Sequence, residues 1–393
     1  MQSFTFYSPT EVVFGKDSEL KTAQEIKKYG GSRVLVVYGG GSVVKSGLLE
    51  RIEQLLTKEG LPYEVLGGVK PNPLLSFAKS GVEKAKKFGA DFILAIGGGS
   101  VIDTAKGIAL GTANPGADIW LYWSGKAAVG KSLPVGAVLT ISAAGSETSD
   151  SAVLTNDETR EKRGLSTDFN RPRFAVMNPE LTYTLPKYQV SCGIVDIMMH
   201  TLDRYFTLTE GNELTDEIAE SVLRVTIKNG TIAMKDPHNY EAMSELMWCG
   251  SISHNGMTGL GAVTDFAPHQ LGHELSGKFD AAHGASLSTV WGSWAEYSYK
   301  QKTERFVRFA QKVWGISKSD PDAAAHAAIG ATVAYFASLG APTCYTELGI
   351  GVQSEETLRE LADRSVFYGK RTFGGFKKLN GEDAYQIYKM ANH

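Results

Sequence analysis

The chain has 393 residues, with 43 Asp and Glu against 40 Lys and Arg, for a formal net charge of −3. That near-neutral balance excludes a non-specific nucleic-acid binder, which needs a basic face, and no run of like charge marks an interaction tail. No apolar stretch reaches the roughly 18 residues of a membrane span, and the length suits a globular chain of two domains.

The first half alternates buried-strand runs with helical patterns. Arg33–Tyr38 is rich in β-branched residues and is stopped by Gly39, Gly40 and Gly41. A helix follows with Leu48, Leu49, Ile52, Leu55 and Leu56 on one face, then a short strand at Tyr63–Leu66. Pro71-Asn72-Pro73 breaks the chain before a helix over Phe77–Phe88 and a strand over Asp91–Ile96. Val135–Thr140 and Phe174–Met177 are further strands. Strand–helix alternation of this kind predicts a parallel sheet covered by helices. After Pro186 the β-rich runs stop, and helices are predicted over Thr215–Lys228, Tyr240–Ile252, Glu304–Val313 and Asp322–Leu339. The expectation is therefore an α/β domain over residues 1–186 and an all-helical domain over residues 187–393. Cys192, Cys249 and Cys344 form no CxxC pair, which suits a reducing, cytoplasmic setting. The opening segment Met1–Tyr7 lacks the basic-then-apolar pattern of a secretion signal.

Two patterns carry chemistry. In Ala95-Ile96-Gly97-Gly98-Gly99-Ser100-Val101-Ile102-Asp103-Thr104-Ala105-Lys106 a glycine turn joins a strand to a helix. Glycines let a phosphate approach the backbone, and the helix start offers N–H groups and a favourable dipole. Ser100 is the expected cap. The turn is not the GxGxxG fingerprint of a standard dinucleotide fold. Gly39-Gly40-Gly41-Ser42 repeats the glycine pattern, and two such strand ends suit a dinucleotide lying across the sheet edge. The second pattern is a ligand set. Asp196 and His200 are four apart in a helical stretch and share a face. With His269 and His283 they make three imidazoles and a carboxylate, a donor set for Fe²⁺ or Zn²⁺. His273 lies one turn from His269 and reads as a proton-transfer group or a support for the ligands.

At His269-Gln270-Leu271-Gly272-His273 and Ala282-His283-Gly284 the chain resembles the iron-containing (group III) alcohol dehydrogenases, in the branch of the butanol dehydrogenases and bacterial NADPH-dependent aldehyde reductases. The likeness runs from Phe14-Gly15-Lys16 to Gly374-Gly375-Phe376. It implies a dehydroquinate synthase-like fold, with a dinucleotide-binding domain, an all-helical metal-binding domain and the active site in the cleft between them. It implies that Asp196, His200, His269 and His283 hold the metal, that Gly97, Gly98, Gly99 and Ser100 hold the pyrophosphate, and that Asp103 supports that turn. Asn72 resembles the family's cofactor-contacting asparagine. Thr140, Ser142 and Ser146 match its hydroxyl stretch beside nicotinamide and adenosine, although Ala143-Ala144 departs locally, and Lys162 matches a lysine near the cofactor. Ser149, Ser151, Phe266 and Tyr345 are candidate pocket-lining residues.

The implied activity is hydride transfer between NAD(P)H and a short-chain aldehyde or primary alcohol, in a homodimer with no nucleic-acid or membrane partner. NAD-specific relatives close the first glycine-flanked strand with Asp. Here Gly39, Gly40, Gly41 and Ser42 follow Tyr38 with no acid, and Lys45 is near, which favours NADP over NAD. A glycerol-type polyol dehydrogenase shares the fold but resembles a site with one fewer histidine. A dehydroquinate synthase-like lyase would need a basic pocket for a phosphorylated substrate, and no Lys/Arg cluster lies near His269–His283.

Overall fold

The computed structural model describes residues 1–393. The chain forms two compact units, Tyr7–Leu185, and Pro186–His393 together with Met1–Phe6. The first six residues thus group with the helical unit, not with the α/β unit in which the sequence reading puts them. Gln2 N–H donates to Gly261 O, and the Met1 ammonium donates to Glu210 O at 2.6 Å, both within the helical unit.

The α/β unit runs β1 (Glu11–Phe14), α1 (Thr22–Lys28), β2 (Val34–Tyr38), α2 (Ser42–Lys45), α3 (Leu48–Lys58), β3 (Tyr63–Leu66), α4 (Leu75–Phe88), β4 (Phe92–Gly97), α5 (Gly99–Ala113), α6 (Trp120–Trp123), β5 (Val135–Leu139), β6 (Ser151–Thr155), β7 (Lys162–Ser166) and β8 (Phe174–Met177). Six strands form a parallel sheet in the order β1-β8-β5-β4-β2-β3. β4, β5 and β8 are buried throughout, because helices cover both faces of a parallel sheet. Strand identity was readable where the apolar run was continuous. It was not at β1, a half-exposed edge strand, or at the antiparallel β6–β7 hairpin, whose β7 (Lys-Arg-Gly-Leu-Ser) lacks β-branched residues.

Register decides what the sheet presents. Tyr38 pairs with Ile96, and Gly97 with Leu139. The segments beginning at Gly39, Gly98 and Thr140 therefore leave the carboxyl edge side by side. The chain departs β2 toward β3 on one side and β4 toward β5 on the other, so the two glycine turns flank the topological switch point, where open α/β sheets bind ligands.

The helical unit comprises α7 (Lys187–Tyr205), α8 (Glu213–Lys235), α9 (Tyr240–His254), α10 (Ala267–Phe279), α11 (His283–Ser298), α12 (Thr303–Trp314), α13 (Pro321–Ser338), α14 (Glu355–Ser365) and α15 (Gly381–Ala391). α7 is central, and its residues from Gly193 to Tyr205 are all buried. Phe206, Trp294, Phe306, Phe309 and Phe376 pack edge to face and stacked below it. Gly284 lets α11 approach α7: a Cβ there would lie 2.1 Å from Cys192 O. No helix is long and apolar enough to cross a membrane.

Candidate functional site

In the helical unit α7 carries Asp196 and His200 one turn apart, the N-terminal half of α10 carries His269, and α11 begins at His283. The Nε2 atoms of His200, His269 and His283 lie 3.4, 3.9 and 3.7 Å from Asp196 Oδ1. One donor atom from each of the four residues falls within 4.8 Å of the others. Metal–donor bonds of about 2.0–2.2 Å in a tetrahedron separate donors by roughly 3.4 Å, so this cluster has the span of one ion's shell. Asp196, His200 and His269 are each 4% exposed, and His269 Nε2 is buried with no hydrogen-bond partner. Burial, then the adjacent His254, His269 and Arg204, holds the His200 imidazole well below its ordinary pKa, in the neutral form a ligand requires.

The His269 ring is aimed from behind. Its Nδ1 lies 2.5 Å from Asp203 Oδ2. A carboxylate only accepts, so Nδ1 carries the proton and Nε2 presents its lone pair to the cluster. Asp203 is fully buried. Asp196 and Asp203 place two buried carboxylates around the ring nitrogens, a setting that a divalent cation complements. The residues present therefore fit a divalent metal. Asp203 went unnamed in the sequence reading, although the signal was there: it lies seven residues after Asp196, on the same face of α7.

Other neighbours were also missed. The His254 ring, at the end of α9, stacks on His200 with centroids 3.9 Å apart. Asp265 accepts from the N–H groups of Ala267, Gly375 and Phe376 and donates its own N–H to Asp203 O, which ties the start of α10 to α7. Burial, then the nearby Asp203 charge, pushes its carboxyl up to about 7. Phe266 holds a left-handed φ of 58° just before α10 and leans on His200 and His269. The Arg204 guanidinium lies over the Phe266 ring and donates to His200 O. His273 stands outside the four-donor cluster, with ring centroids 6.3 Å from His269 and 5.5 Å from His283. Of the candidate pocket residues, Ser149 and Tyr345 are fully buried.

The α/β unit gathers the other candidates. Helix α5 starts at Gly99, with Gly98 in the cap position and no side-chain cap, so Ser100 is in the first turn and does not cap. A Cβ on Gly98 would lie 2.2 Å from Ile141, which shows how closely the turn packs on the next strand's exit. Asp103 turns inward and accepts from Ser146 Oγ at 2.5 Å and Val153 N–H at 2.9 Å. Lys162 Nζ donates to Asn72 Oδ1 at 2.8 Å, which joins two candidates 90 residues apart. Ser142 is buried, and Thr140 is half-buried. Gly39, Gly40 and Gly41 form the turn after β2 and Ser42 opens α2; Gly39 O accepts from Gly68 N–H. Nearby, a hollow of about 350 Å³ is lined by Gly68, Val69, Lys70 and Phe77 among others.

Comparison with known proteins agrees with both halves. The family model described as iron-containing alcohol dehydrogenase matches residues 9–179, and that for the C-terminal part of the Fe-containing alcohol dehydrogenase family matches residues 190–392. The chain is 41% identical to NADH-dependent butanol dehydrogenase A of Clostridium acetobutylicum and 34% identical to the NADPH-dependent aldehyde reductase YqhD of Escherichia coli, over 100% of both chains in each case. The crystal structure of NADH-dependent butanol dehydrogenase A from Thermotoga maritima aligns with a TM-score of 0.95 at 35% identity, covering 100% of this chain and 99% of that one.

Asp203 gives the geometry a direct test. Asp203→Asn keeps the size but weakens the restraint on the His269 proton, and metal affinity is expected to fall about 10–100-fold. Competition with a chromogenic chelator measures this; unchanged affinity would show that the ring is held by packing alone.

Proposed function

The chain belongs to the iron-containing alcohol dehydrogenase family, and we propose that it is a metal-dependent alcohol dehydrogenase and aldehyde reductase that transfers a hydride between NAD(P)H and a short-chain aldehyde or primary alcohol. The observation that carries this reading is the convergence of three imidazole nitrogens on the Asp196 carboxylate, with His269 Nε2 buried and unpartnered. When bound, a divalent ion (Fe²⁺ or Zn²⁺) supplies Lewis acidity at the carbonyl oxygen, and the dinucleotide supplies the hydride. Asp196, His200, His269 and His283 would hold the ion, and Asp203 keeps the His269 proton on Nδ1. Phe266 and His254 pack against the His200 ring beside the donor cluster. Gly97, Gly98, Gly99 and Ser100 would receive the pyrophosphate at the uncapped start of α5, with Thr140, Ser142 and Asn72 along the same edge. His273 delivers the proton that the product oxygen gains. The cations around α10 are engaged by protein groups, Arg204 with Phe266 and His200 O, Lys278 with Glu360, Arg364 with Glu274 and Arg371 with Gln270, which argues against a phosphorylated substrate. Three free cysteines support a cytoplasmic setting.

For the dinucleotide, we favour NADP. The relatives divide, butanol dehydrogenase A being named for NADH and YqhD for NADPH. In this chain no acid follows Tyr38. Ser42 and Lys45 are exposed, and the Lys45 chain lies across Gly41, where a Cβ would meet its Cε at 3.7 Å. A 2′-phosphate would meet a hydroxyl and an ammonium there rather than a carboxylate.

The main test is chelation. Stripped enzyme should lose aldehyde reduction and regain it with Fe²⁺ or Zn²⁺, and His269→Ala should lower turnover by roughly 100-fold or more while dinucleotide affinity stays put; full activity without metal would refute the reading. His273→Asn should keep the metal while the rate drops by about 100-fold, the scale of a lost general acid; metal lost in step with activity would make His273 a ligand instead. Gly39→Asp is sterically permitted, since a Cβ there meets nothing closer than 3.4 Å. A carboxylate about 4 Å from a phosphate costs roughly 1–4 kcal/mol, so NADPH use should fall tenfold or more by the same estimate, with NADH use unchanged or improved. Equal effects on both cofactors would mean that Gly39 only shapes the turn.

A further inference from the structure

Lys106 is the eighth residue of α5 and is fully buried, a costly place for an ammonium group. It points away from the glycine turn, into the segment that leaves β5. Its Nζ lies 2.7 Å from Ser146 O, 3.0 Å from Ser146 Oγ, 3.2 Å from Ser149 O and 2.7 Å from Ser151 O. These acceptors are 40 to 45 residues away in sequence. One turn earlier Asp103 grips the same segment through Ser146 Oγ and Val153 N–H. Ser151 opens β6, and β6 pairs with β7, where Lys162 reaches Asn72. The far end of β6 returns to the Asn72 turn, because Thr155 N–H donates to Pro73 O.

Three separated segments are thereby built into one frame: the phosphate turn, the hydroxyl stretch Thr140–Ser146 and the Asn72 turn. We propose that Lys106 is the positioning residue of the dinucleotide site, fixing the hydroxyl stretch against the phosphate-binding helix without touching the ligand. The inference rests on the reading of the α5 turn as a dinucleotide site. A neutral side chain would satisfy fewer of the four acceptors and leave buried carbonyls unpaired. An ammonium with three donors holds the loop from one point, and the Asp103 carboxylate offsets its charge. The groups that face Nζ are Asp103 on α5, Glu147 and Asp150 on the loop, and Arg171 ahead of β8. Burial outweighs the carboxylates and brings the ammonium down to about 8. The protonated form, with all three donors, is thus present below about pH 8 and is lost above it.

The test uses the metal-loaded enzyme and measures NADPH and NADH binding by fluorescence from pH 6.5 to 9.5, with metal content and melting temperature as companions. In the parent, dissociation constants should be level to about pH 8 and rise beyond it. Lys106→Met should raise them roughly tenfold or more across the range and flatten the alkaline rise, because the titrating group is gone. Lys106→Gln, which keeps one amide donor group, should fall between. Metal content should not change in either variant. The inference is overturned if Lys106→Met binds as the parent does, if the alkaline rise persists in it, or if metal, melting temperature and dinucleotide affinity all fall together. If the parent binds neither dinucleotide, the functional reading fails first.

Discussion

The hydrogen bond from His269 Nδ1 to Asp203 Oδ2 is the contact on which the chemistry of the helical unit rests. It fixes one tautomer, and through the tautomer it fixes which nitrogen can bind an ion. Asp203 also accepts the Asp265 N–H through its carbonyl, and Asp265 gathers the N–H groups of Ala267, Gly375 and Phe376. One residue of α7 therefore sets both the ring of His269 and the start of the helix that carries it. The cost is two carboxylates sunk in an apolar interior, where an unpaired charge is strongly unfavourable. A divalent ion among the four donors would offset that cost, and folding and metal binding would then favour the same arrangement.

The α/β unit meets a different constraint. A parallel sheet covered on both faces offers a ligand the crevice outside its carboxyl edge, at the switch point. Register puts the exits of β2, β4 and β5 side by side there, and glycines hold the turns low enough for a phosphate to reach the start of α5. Side chains then brace the edge from behind. Asp103 and Lys106 hold one segment and Lys162 holds another, so residues remote in sequence keep fixed spacing. In each unit buried side chains brace candidate ligand-binding groups from behind: Asp203 behind His269, and Asp103 and Lys106 behind the stretch that ends at Ser146.

Much of this was legible in the sequence, for identifiable reasons. Continuous apolar runs gave β2, β4, β5 and β8 because a strand buried on both faces has no polar side. The spacing of four between Asp196 and His200 gave a shared helix face. Ser100 misled, because a serine beside a glycine turn looks like a cap, whereas the backbone of Gly98 itself takes that position. The β6–β7 hairpin was hidden by its composition. His254, Asp265 and Lys106 were hidden for another reason: their partners lie 40 or more residues away, or on another helix, and no local period records them. Asp203 stood between these cases, on the right face of α7 but without a spacing rule that singles out a residue behind the ligands.

The central claim is that Asp196, His200, His269 and His283 form the shell of one catalytic divalent ion. X-ray absorption at the iron or zinc edge, on protein reconstituted with one equivalent of metal, tests it most directly. The account predicts a single ion per chain with about three nitrogen donors and one or more oxygen donors at roughly 2.0–2.2 Å, and a weakened imidazole scattering signature, or loss of the ion, when His269 and His283 are replaced together. A sulfur donor, an all-oxygen shell, or a spectrum unchanged by that double replacement would contradict it.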